Sequence, residues 1–379
     1  MHPFYRLRNA AVALFTLFAL SVPASALTAI LSGAVTIAHA KEQGASALSL
    51  RHVRTLKNNF AVTVLAWHPD GRQLAVGQVL EGRIIIWGAH DGRRIQEINE
   101  RSGTVKSLAY SPDGKYLAVG RGFTRLTTDH VHAHLYEVVT GKLVHRFIPS
   151  YTQPKGGSND AQAIAFSPDS RFFVVSGYGA VMNAVVYDIA TGKVAQPLSA
   201  PTPRPDAIQT LSFSPDGRFL AVGRISGALE MWATDTWKLV KNIQTNLPSV
   251  SSLAFSPNSR YLATGTFIGQ RKDSKSGQVI TGSFSDDISI WEIPSLNRVK
   301  SYGSKQGGGY IKSLFFNKEG NRLWAGGAGK SIDMVDIPSG KTTTLIGDFP
   351  QVAYPSFSKN RKLLAVGAGQ EIQIYEVRN

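Results

Sequence analysis

Seven copies of one short pattern fill the chain after residue 60, and this repetition limits the available folds more than any other feature. Each copy carries an aromatic residue at the same register: Trp67, Tyr110, Phe166, Phe213, Phe255, Phe316 and Phe357. The copies are VLAWHPDGRQLAVG (64–77), SLAYSPDGKYLAVG (107–120), AIAFSPDSRFFVVSG (163–177), TLSFSPDGRFLAVG (210–223), SLAFSPNSRYLATG (252–265), SLFFNKEGNRLWAGG (313–327) and YPSFSKNRKLLAVG (354–367). Repetition at a nearly fixed period predicts similar units that stack on one another.

Each copy predicts a four-stranded unit. A first apolar strand ends at the aromatic residue, and Pro-Asp-Gly then makes a tight turn because proline presets one backbone angle and glycine relieves a strained one. The second strand ends at a glycine, and the third leads to a Trp or Tyr marker, as in IIIWG (84–88) and ISIWE (288–292). A Thr-Gly-Lys-like turn and a fourth strand close the unit. Seven such units predict an all-β, seven-bladed β-propeller of four-stranded antiparallel blades.

The two ends of the repeat region predict how the ring closes. The chain stops after a third strand, IQIYEVRN (372–379), whereas residues 52–59 (HVRTLKNN) have the pattern of a single fourth strand. We expect this N-terminal strand to pair with the last blade and close the ring. The propeller then occupies residues 49–379 as one domain.

These motifs resemble the tryptophan-aspartate (WD) repeat family, whose blades carry FSPDG after the first strand and a Trp-Asp-like pair at the end of the third. The resemblance covers about residues 49–379, but the family's Gly-His pair is absent and its Trp-Asp pair is degenerate, as in Trp87-Gly88 and Tyr136-Glu137. Asp286 occupies the place of the family's turn aspartate. The resemblance implies an interaction scaffold. Because these motifs are missing or degenerate, we expect most blades to lack the buried Asp-His network of the family.

The first 40 residues have the pattern of a secretory signal peptide. Arg6 and Arg8 precede the apolar run AAVALFTLFALSV, and two small-x-small cleavage patterns follow, ending at Ala26 and Ala40. This order of a charged head, an apolar middle and a small-residue exit predicts export, with 41–48 as a short linker. An uncleaved membrane anchor is the alternative. The absence of cysteine excludes a disulfide framework, a thiolate zinc site and a lipidated N-terminal cysteine, and it fits a bacterial periplasmic or secreted protein.

Composition and charge narrow the class of partner. The chain is 43% hydrophobic, which excludes wholesale disorder, and its 41 basic and 26 acidic residues give a net charge of +15. A basic surface favours acidic proteins, anionic glycans or membrane surfaces. Nucleic acid is disfavoured, because an exported protein would also need an exported nucleic-acid partner. We expect the propeller to be a monomer.

Five insertions lengthen the connections between the second and third strands or between one blade and the next. They are 121–132, 149–160, 199–206, 267–285 and 303–309. In an up-and-down blade both connections emerge on one face of the disc, and function concentrates in loops that a rigid scaffold holds. The cations and aromatics of this face are our predicted partner-binding residues: Arg121, Phe123, Arg125, Tyr151, Lys155, Arg204, Arg271, Lys272, Lys275, Lys305 and Tyr310.

One cluster could carry metal chemistry. His130, His132 and His134 alternate along a predicted strand, so they share one face, and His-x-His on a strand can supply two metal ligands. His134 occupies a register that is polar in several blades, and polar packing between blades is the competing interpretation. A pH-responsive patch is a further alternative. We expect no cofactor and identify no catalytic residues.

The sequence therefore predicts a non-catalytic scaffold that presents a basic, aromatic face to a protein partner in the periplasm. Two alternatives stay open. One is a propeller enzyme, lactonase-like or another hydrolase with a metal near His130–His134. The other is a protein that binds anionic polymers, whose affinity would fall steeply with salt. The first strands carry Ser107, Thr210, Ser252 and Ser313 among apolar neighbours, which argues against a charged active site in the central channel.

Overall fold

The described part of the protein forms a ring of seven four-stranded antiparallel sheets, which confirms the predicted all-β propeller. The structure is a computed structural model. It describes residues 48–79, 82–99, 104–122, 133–147, 161–176, 184–199, 206–266, 271–272, 279–280, 287–303, 311–327, 331–347, 349 and 353–378. The compact unit spans Leu48–Arg378. Within these ranges we find no helix of the length and apolarity that a membrane crossing requires.

The strands of the first half, in chain order, are β1 (Ser49–Lys57), β2 (Val62–Trp67), β3 (Gln73–Gln78), β4 (Arg83–Gly88), β5 (Arg94–Asn99), β6 (Val105–Tyr110), β7 (Tyr116–Arg121), β8 (Ala133–Glu137), β9 (Leu143–Phe147), β10 (Ile164–Phe166), β11 (Phe172–Ser176), β12 (Ala184–Asp188), β13 (Val194–Leu198), β14 (Ile208–Phe213) and β15 (Phe219–Arg224).

Those of the second half are β16 (Ala228–Ala233), β17 (Lys238–Gln244), β18 (Ser252–Phe255), β19 (Tyr261–Gly265), β20 (Arg271–Lys272), β21 (Val279–Ile280), β22 (Ile288–Glu292), β23 (Arg298–Tyr302), β24 (Ile311–Phe316), β25 (Arg322–Gly327), β26 (Ile332–Asp336), β27 (Thr342–Ile346), β28 (Tyr354–Phe357), β29 (Leu363–Ala368) and β30 (Glu371–Arg378).

The N-terminal strand closes the ring as predicted. Strand β1 pairs antiparallel with β30, from Ser49 opposite Arg378 to Lys57 opposite Glu371, so the last sheet has the order β1-β30-β29-β28. The strand begins and ends earlier than the predicted 52–59. Leu56 on β1 is buried with residues of the first and last blades, so closure joins the two ends of the chain through core packing as well as through backbone hydrogen bonds.

The hydrophobic core lies between the blades. Within the described residues there are seven buried clusters, and each combines side chains from two neighbouring blades. At the junction of blades 3 and 4, for example, Val174 and Val186 pack with Leu211, Leu220 and Trp232. A single blade therefore buries its faces only in the ring, which is the physical reason that the sequence repeats.

Glycines allow the blades to approach closely at one level of the ring. The innermost strands β2, β6, β10, β14, β18, β24 and β28 contact one another in a closed circle. At Gly120 on β7, an added Cβ would collide with the Ser107 hydroxyl and lie 2.9 Å from the Ala161 carbonyl oxygen of the next blade. The glycine at the end of most second strands thus lets neighbouring blades approach closely, in addition to marking the end of the strand in the sequence.

Candidate binding surface

The structure confirms where the insertions lie relative to the strands. Long connections join β7 to β8 and β19 to β22, which are second and third strands, and β9 to β10, β13 to β14 and β23 to β24, which link one blade to the next. Because each blade is a simple antiparallel meander, all five connections emerge on one face, which we call the loop face. The opposite side, built from the short turns, is the turn face.

Most of the predicted partner-binding residues lie outside the described residues. This group comprises Phe123, Arg125, Tyr151, Lys155, Arg204, Lys275, Lys305 and Tyr310, together with His130, His132 and the turn aspartate Asp286. Their roles stay predictions.

The insertion 267–285 contains a short hairpin that the sequence analysis did not predict. Arg271 pairs with Ile280, and Lys272 pairs with Val279, as the two-stranded sheet β20-β21. Val279 and Ile280 are β-branched, which was the available signal for a strand. The hairpin places two of the predicted contact residues side by side on one main-chain segment of the loop face.

Arg121 does not lie in a loop, which corrects its predicted position. It is the last residue of β7, pairs with Val105, and its side chain is 7% exposed. Its carbonyl oxygen accepts a 2.9 Å hydrogen bond from the N–H of Ala161 in the next blade. The strand extends one residue past the glycine because Arg121 still pairs with Val105 of β6. Arg121 is therefore buried at the base of the loop face, where it contributes little exposed surface to that face.

The fourth blade shows what a buried arginine at this position does. Arg224 is the counterpart of Arg121, and its Nε donates to Oε1 of Glu230; the two side chains are 2% and 1% exposed. A second donor, Nη1 of Arg224, bonds to the carbonyl oxygen of Asp206 at 2.6 Å. The other Glu230 oxygen, Oε2, accepts from Nε1 of Trp232 at 2.9 Å. Both charged groups of this buried pair have hydrogen-bond partners, so the pair orders the base of the loop face instead of offering a free charge.

His134 belongs to the same layer of buried polar side chains. It is 6% exposed, it occupies the register of Glu230, and its ring meets the Tyr136 ring edge-on with centroids 6.0 Å apart. The Tyr136 hydroxyl lies 3.5 Å from Nδ1 of His134. In the described part of the chain no group of three or more His, Asp or Glu side chains could hold a metal ion. His130 and His132 lie outside that part, so the metal site stays a prediction.

A repeated contact links the marker aromatic to the side chain two residues before it. In addition to Tyr136 with His134, the pairs are Trp232 with Glu230 and Tyr375 with Gln373. Residues i and i+2 share one face of a strand, so the polar tip of the aromatic ring reaches the shorter side chain. The sequence showed the polar register but gave no signal of its partner.

The mouth of the inner ring on the loop face carries two exposed lysines, which the sequence analysis did not single out. Lys106 and Lys312 are exposed at the loop-face ends of β6 and β24, whereas the neighbouring Ser107 is buried and donates to the Ala161 carbonyl oxygen at 3.0 Å. Nζ of Lys312 lies 4.8 Å from the Tyr354 ring centroid and 3.3 Å from its hydroxyl. A bulge beside each lysine interrupts the simple alternation of sides along both strands.

On the turn face, hydrogen bonds to aspartate side chains hold the chain in its turns. In blade 2 the Ser111 hydroxyl donates to Oδ1 of Asp113 at 2.6 Å, and the same oxygen accepts from the Lys115 N–H at 3.1 Å. Burial raises the pKa of Asp113, but these two hydrogen bonds and the Lys115 charge outweigh it, and the pKa lies below 3.8. Hydrogen bonds from the N–H and the hydroxyl of Thr191 likewise lower the pKa of Asp188. A carboxylate thus holds each of these two turns, whereas the amide oxygens of Asn258 and Asn360 take that role in the first turns of blades 5 and 7.

Two family models match parts of the chain. The WD domain, G-beta repeat, matches residues 50–88 and 92–124, which cover most of β1 and all of β2–β7. The repeat match and the seven-bladed ring together support a WD-repeat β-propeller. Residues 155–274 are similar to a second family, eukaryotic translation initiation factor eIF2A. No curated protein matches the sequence.

Proposed function

We propose that this WD-repeat propeller is a non-catalytic scaffold that binds an acidic segment of a protein partner on its loop face. Propellers of this repeat type are in general protein-interaction scaffolds. The finer parts of the proposal are the face, the acidic character of the partner and action in the periplasm after export. The first 40 residues support export through their signal-peptide pattern.

The observation that carries the proposal is the contrast between the two faces. All five insertions connect strands on the loop face, and their predicted contact residues are cations and aromatics. The described residues add Lys106 and Lys312, exposed at the mouth of the inner ring on the same face. Cations that surround a rigid opening attract an acidic segment and orient it before contact.

Backbone hydrogen bonds between blades support this use of the face. The N–H of Val250 donates to the Arg224 carbonyl oxygen at 2.8 Å, and the N–H of Ile311 donates to that of Thr266 at 3.2 Å. The second of these bonds joins the residue before insertion 267–285 to the strand that follows insertion 303–309. Such bonds hold the bases of neighbouring loops at fixed separations, so a partner can contact several loops without a cost for ordering the scaffold.

Capture from a periplasmic extract of the source organism tests the proposal. The mature protein is immobilised, and retained proteins are identified by mass spectrometry at low and moderate salt. We expect one defined partner to survive moderate salt and to be lost with the triple variant Arg125→Glu/Arg271→Glu/Lys272→Glu. If the triple variant retains the partner at the wild-type level, the loop-face proposal is wrong.

A matched control makes the same change of charge on the other face. Lys318, Lys359 and Lys362 are exposed in the turns of blades 6 and 7, so Lys318→Glu/Lys359→Glu/Lys362→Glu alters the net charge equally. We expect this variant to retain the partner. Equal loss in both triples would instead indicate attraction by net charge, as for an anionic polymer.

The enzyme alternative is tested on the same preparation. A metal that is present in stoichiometric amount, removed by chelation and lost in His132→Ala/His134→Ala would favour it over the scaffold. His134 is buried beside Tyr136, so the single variant His132→Ala separates loss of a ligand from disturbance of the blade.

A further inference from the structure

A cavity of about 400 Å³ opens on the turn face between blades 3 and 4. Its walls come from the first turn of blade 3 (167–169), the first turn of blade 4 (216–219) and the turn between the third and fourth strands of blade 4 (233–237). It lies on the face opposite the insertions, so the loop-face proposal does not use it. An inference drawn from it stands or fails separately.

Four half-buried aromatic side chains line the cavity: Phe172, Phe213, Phe219 and Trp237. The Trp237 ring meets that of Phe172 at 5.4 Å between centroids and 89°, and that of Phe213 at 6.3 Å and 81°. Trp237 has a φ of +52°, in a turn where four other blades have a glycine. Those glycines are Gly92, Gly141, Gly192 and Gly340. Blade 4 thus has a large aromatic side chain at a position where those four blades have a glycine.

Two other junctions show what covers the aromatic residue that corresponds to Phe213. In blade 7 this residue is Phe357, and the guanidinium carbon of Arg361 lies 5.8 Å from its centroid and 5.6 Å from that of Phe315 in blade 6. In blade 2 it is Tyr110, and the His68 ring from blade 1 meets it edge-on at 5.1 Å. Both junctions use a basic side chain of the chain itself.

Blade 4 has no basic side chain at that turn position, although the guanidinium carbons of Arg171 and Arg218 lie 4.7 Å and 5.6 Å from the ring centroids of Phe172 and Phe219. The turn position of Arg361 is taken by Gly217, which lines the cavity, and both residues have positive φ, at 60° and 73°. An added Cβ at Gly217 would meet only Pro168 of blade 3, at ordinary contact distance. The space that the Arg361 side chain fills between blades 6 and 7 is therefore left open between blades 3 and 4.

The charge of the lining favours a cation. Asp169, Asp216 and Asp235 contribute three carboxylates and Arg218 contributes one guanidinium, so the lining is acidic in a chain of net charge +15. Hydrogen bonds fix two of the carboxylates. Oδ1 of Asp216, for example, accepts from the Ser214 hydroxyl at 2.6 Å and from the Arg218 N–H at 3.1 Å. A cation on aromatic rings beside fixed carboxylates is a favourable arrangement.

We infer that this cavity binds an arginine or lysine side chain of a partner protein segment. The side chain enters where Arg361 lies at the equivalent junction, against Phe213 and Trp237. The aspartates at the rim neutralise its charge. The partner is a basic segment, in contrast to the acidic segment proposed for the loop face.

The test is an NMR titration of the ¹⁵N-labelled protein with capped Gly-Arg-Gly, Gly-Lys-Gly and the neutral Gly-Gln-Gly. The chain has six tryptophans, and the variant Trp237→Gly assigns the Trp237 indole N–H signal by its absence. Glycine is native to this turn in four sibling blades, so this variant is expected to fold. We expect saturable shifts of the Trp237 signal with the two basic peptides in the millimolar range, and none with the glutamine peptide.

Two matched variants locate the effect. Gly217→Arg supplies the cation from within the chain, as Arg361 does, and should abolish the shift. Gly320→Arg adds the same charge at the equivalent turn of blade 6, where an added Cβ also meets only a proline at ordinary distance, and should leave the shift unchanged. The inference is overturned if no saturable shift occurs, if the glutamine peptide shifts the signal equally, or if Gly217→Arg retains the shift.

Discussion

The buried ion pair of blade 4 allows a quantitative test of how the ring tolerates charge below the loop face. In the variant Glu230→Ile, the carboxylate that accepts from both Arg224 and Trp232 is removed. Isoleucine is the residue of blade 1 at this position, Ile85, so the new side chain has a native precedent for its size. The variant leaves the Arg224 guanidinium buried without a countercharge.

The expected loss follows from the burial of the pair. Breaking a buried pair by removing one partner costs about 3–5 kcal/mol, because the remaining charge is uncompensated. Arg224 keeps its 2.6 Å bond to the Asp206 carbonyl oxygen, which limits the loss. The buried Trp232 N–H loses its acceptor, at about 1–3 kcal/mol. We therefore expect Glu230→Ile to lower the free energy of unfolding by about 4 kcal/mol.

The double variant Arg224→Gln/Glu230→Ile reproduces blade 1, which has Gln78 and Ile85 at these two positions. In that native blade the side chain of Gln78 and the indole nitrogen of Trp87 have no hydrogen-bond partner among the described residues. The fold thus tolerates the neutral combination. We expect the double variant to recover about 2 kcal/mol or more of the loss, because no buried charge remains.

Urea unfolding at 25 °C, followed by circular dichroism, measures both values. Glu97→Gln is the control, since Glu97 forms an exposed ion pair with Arg83 at 3.4 Å and its loss should cost less than about 1 kcal/mol. A double variant no more stable than Glu230→Ile alone would refute the argument, because the loss would then come from packing or from the indole acceptor.

Three further predictions concern closure, packing and pH. Deletion of residues 49–57 should lower the melting temperature and cause association at high concentration, because strand β30 then has an open edge; circular dichroism and size-exclusion chromatography would detect both. Gly120→Ala should destabilise by at least about 1–3 kcal/mol through collision with Ser107, whereas Gly347→Ala should be nearly neutral in the same urea assay. The folded pKa of Asp188 is depressed, so its contribution to stability is present above 3.8 and lost as pH falls further; Asp188→Asn should reduce the acid-induced fall in melting temperature.

The fold could be predicted because each level of the sequence supports the same answer. The turn residues Gly71 and Gly114 have the positive φ that their motif requires, and the apolar alternation of each strand survives in the interblade core. Strand ends were less predictable. Arg121 was assigned to a loop because the second strand was expected to end at Gly120, whereas pairing with Val105 extends the strand and Arg121 is buried.

The candidate surfaces were harder to predict, because they depend on contacts between blades. Nothing local to Gly217 indicates that its missing side chain opens a cavity; that follows only from comparison with Arg361 at another junction. Trp237 interrupts the usual glycine of its turn, and this departure from the repeat was a usable signal. For Lys106 and Lys312 the strand irregularity decides exposure, and alternation alone assigns the wrong side.

Hydrogen–deuterium exchange with the captured partner tests the central claim most directly. The propeller is compared with and without the partner, and protection is mapped by peptide. We predict slower exchange in the loop-face segments 122–132 and 267–286 and unchanged exchange in the turn-face segments 168–171 and 215–218. Protection confined to the turn face would contradict the assignment of the loop face as the binding surface.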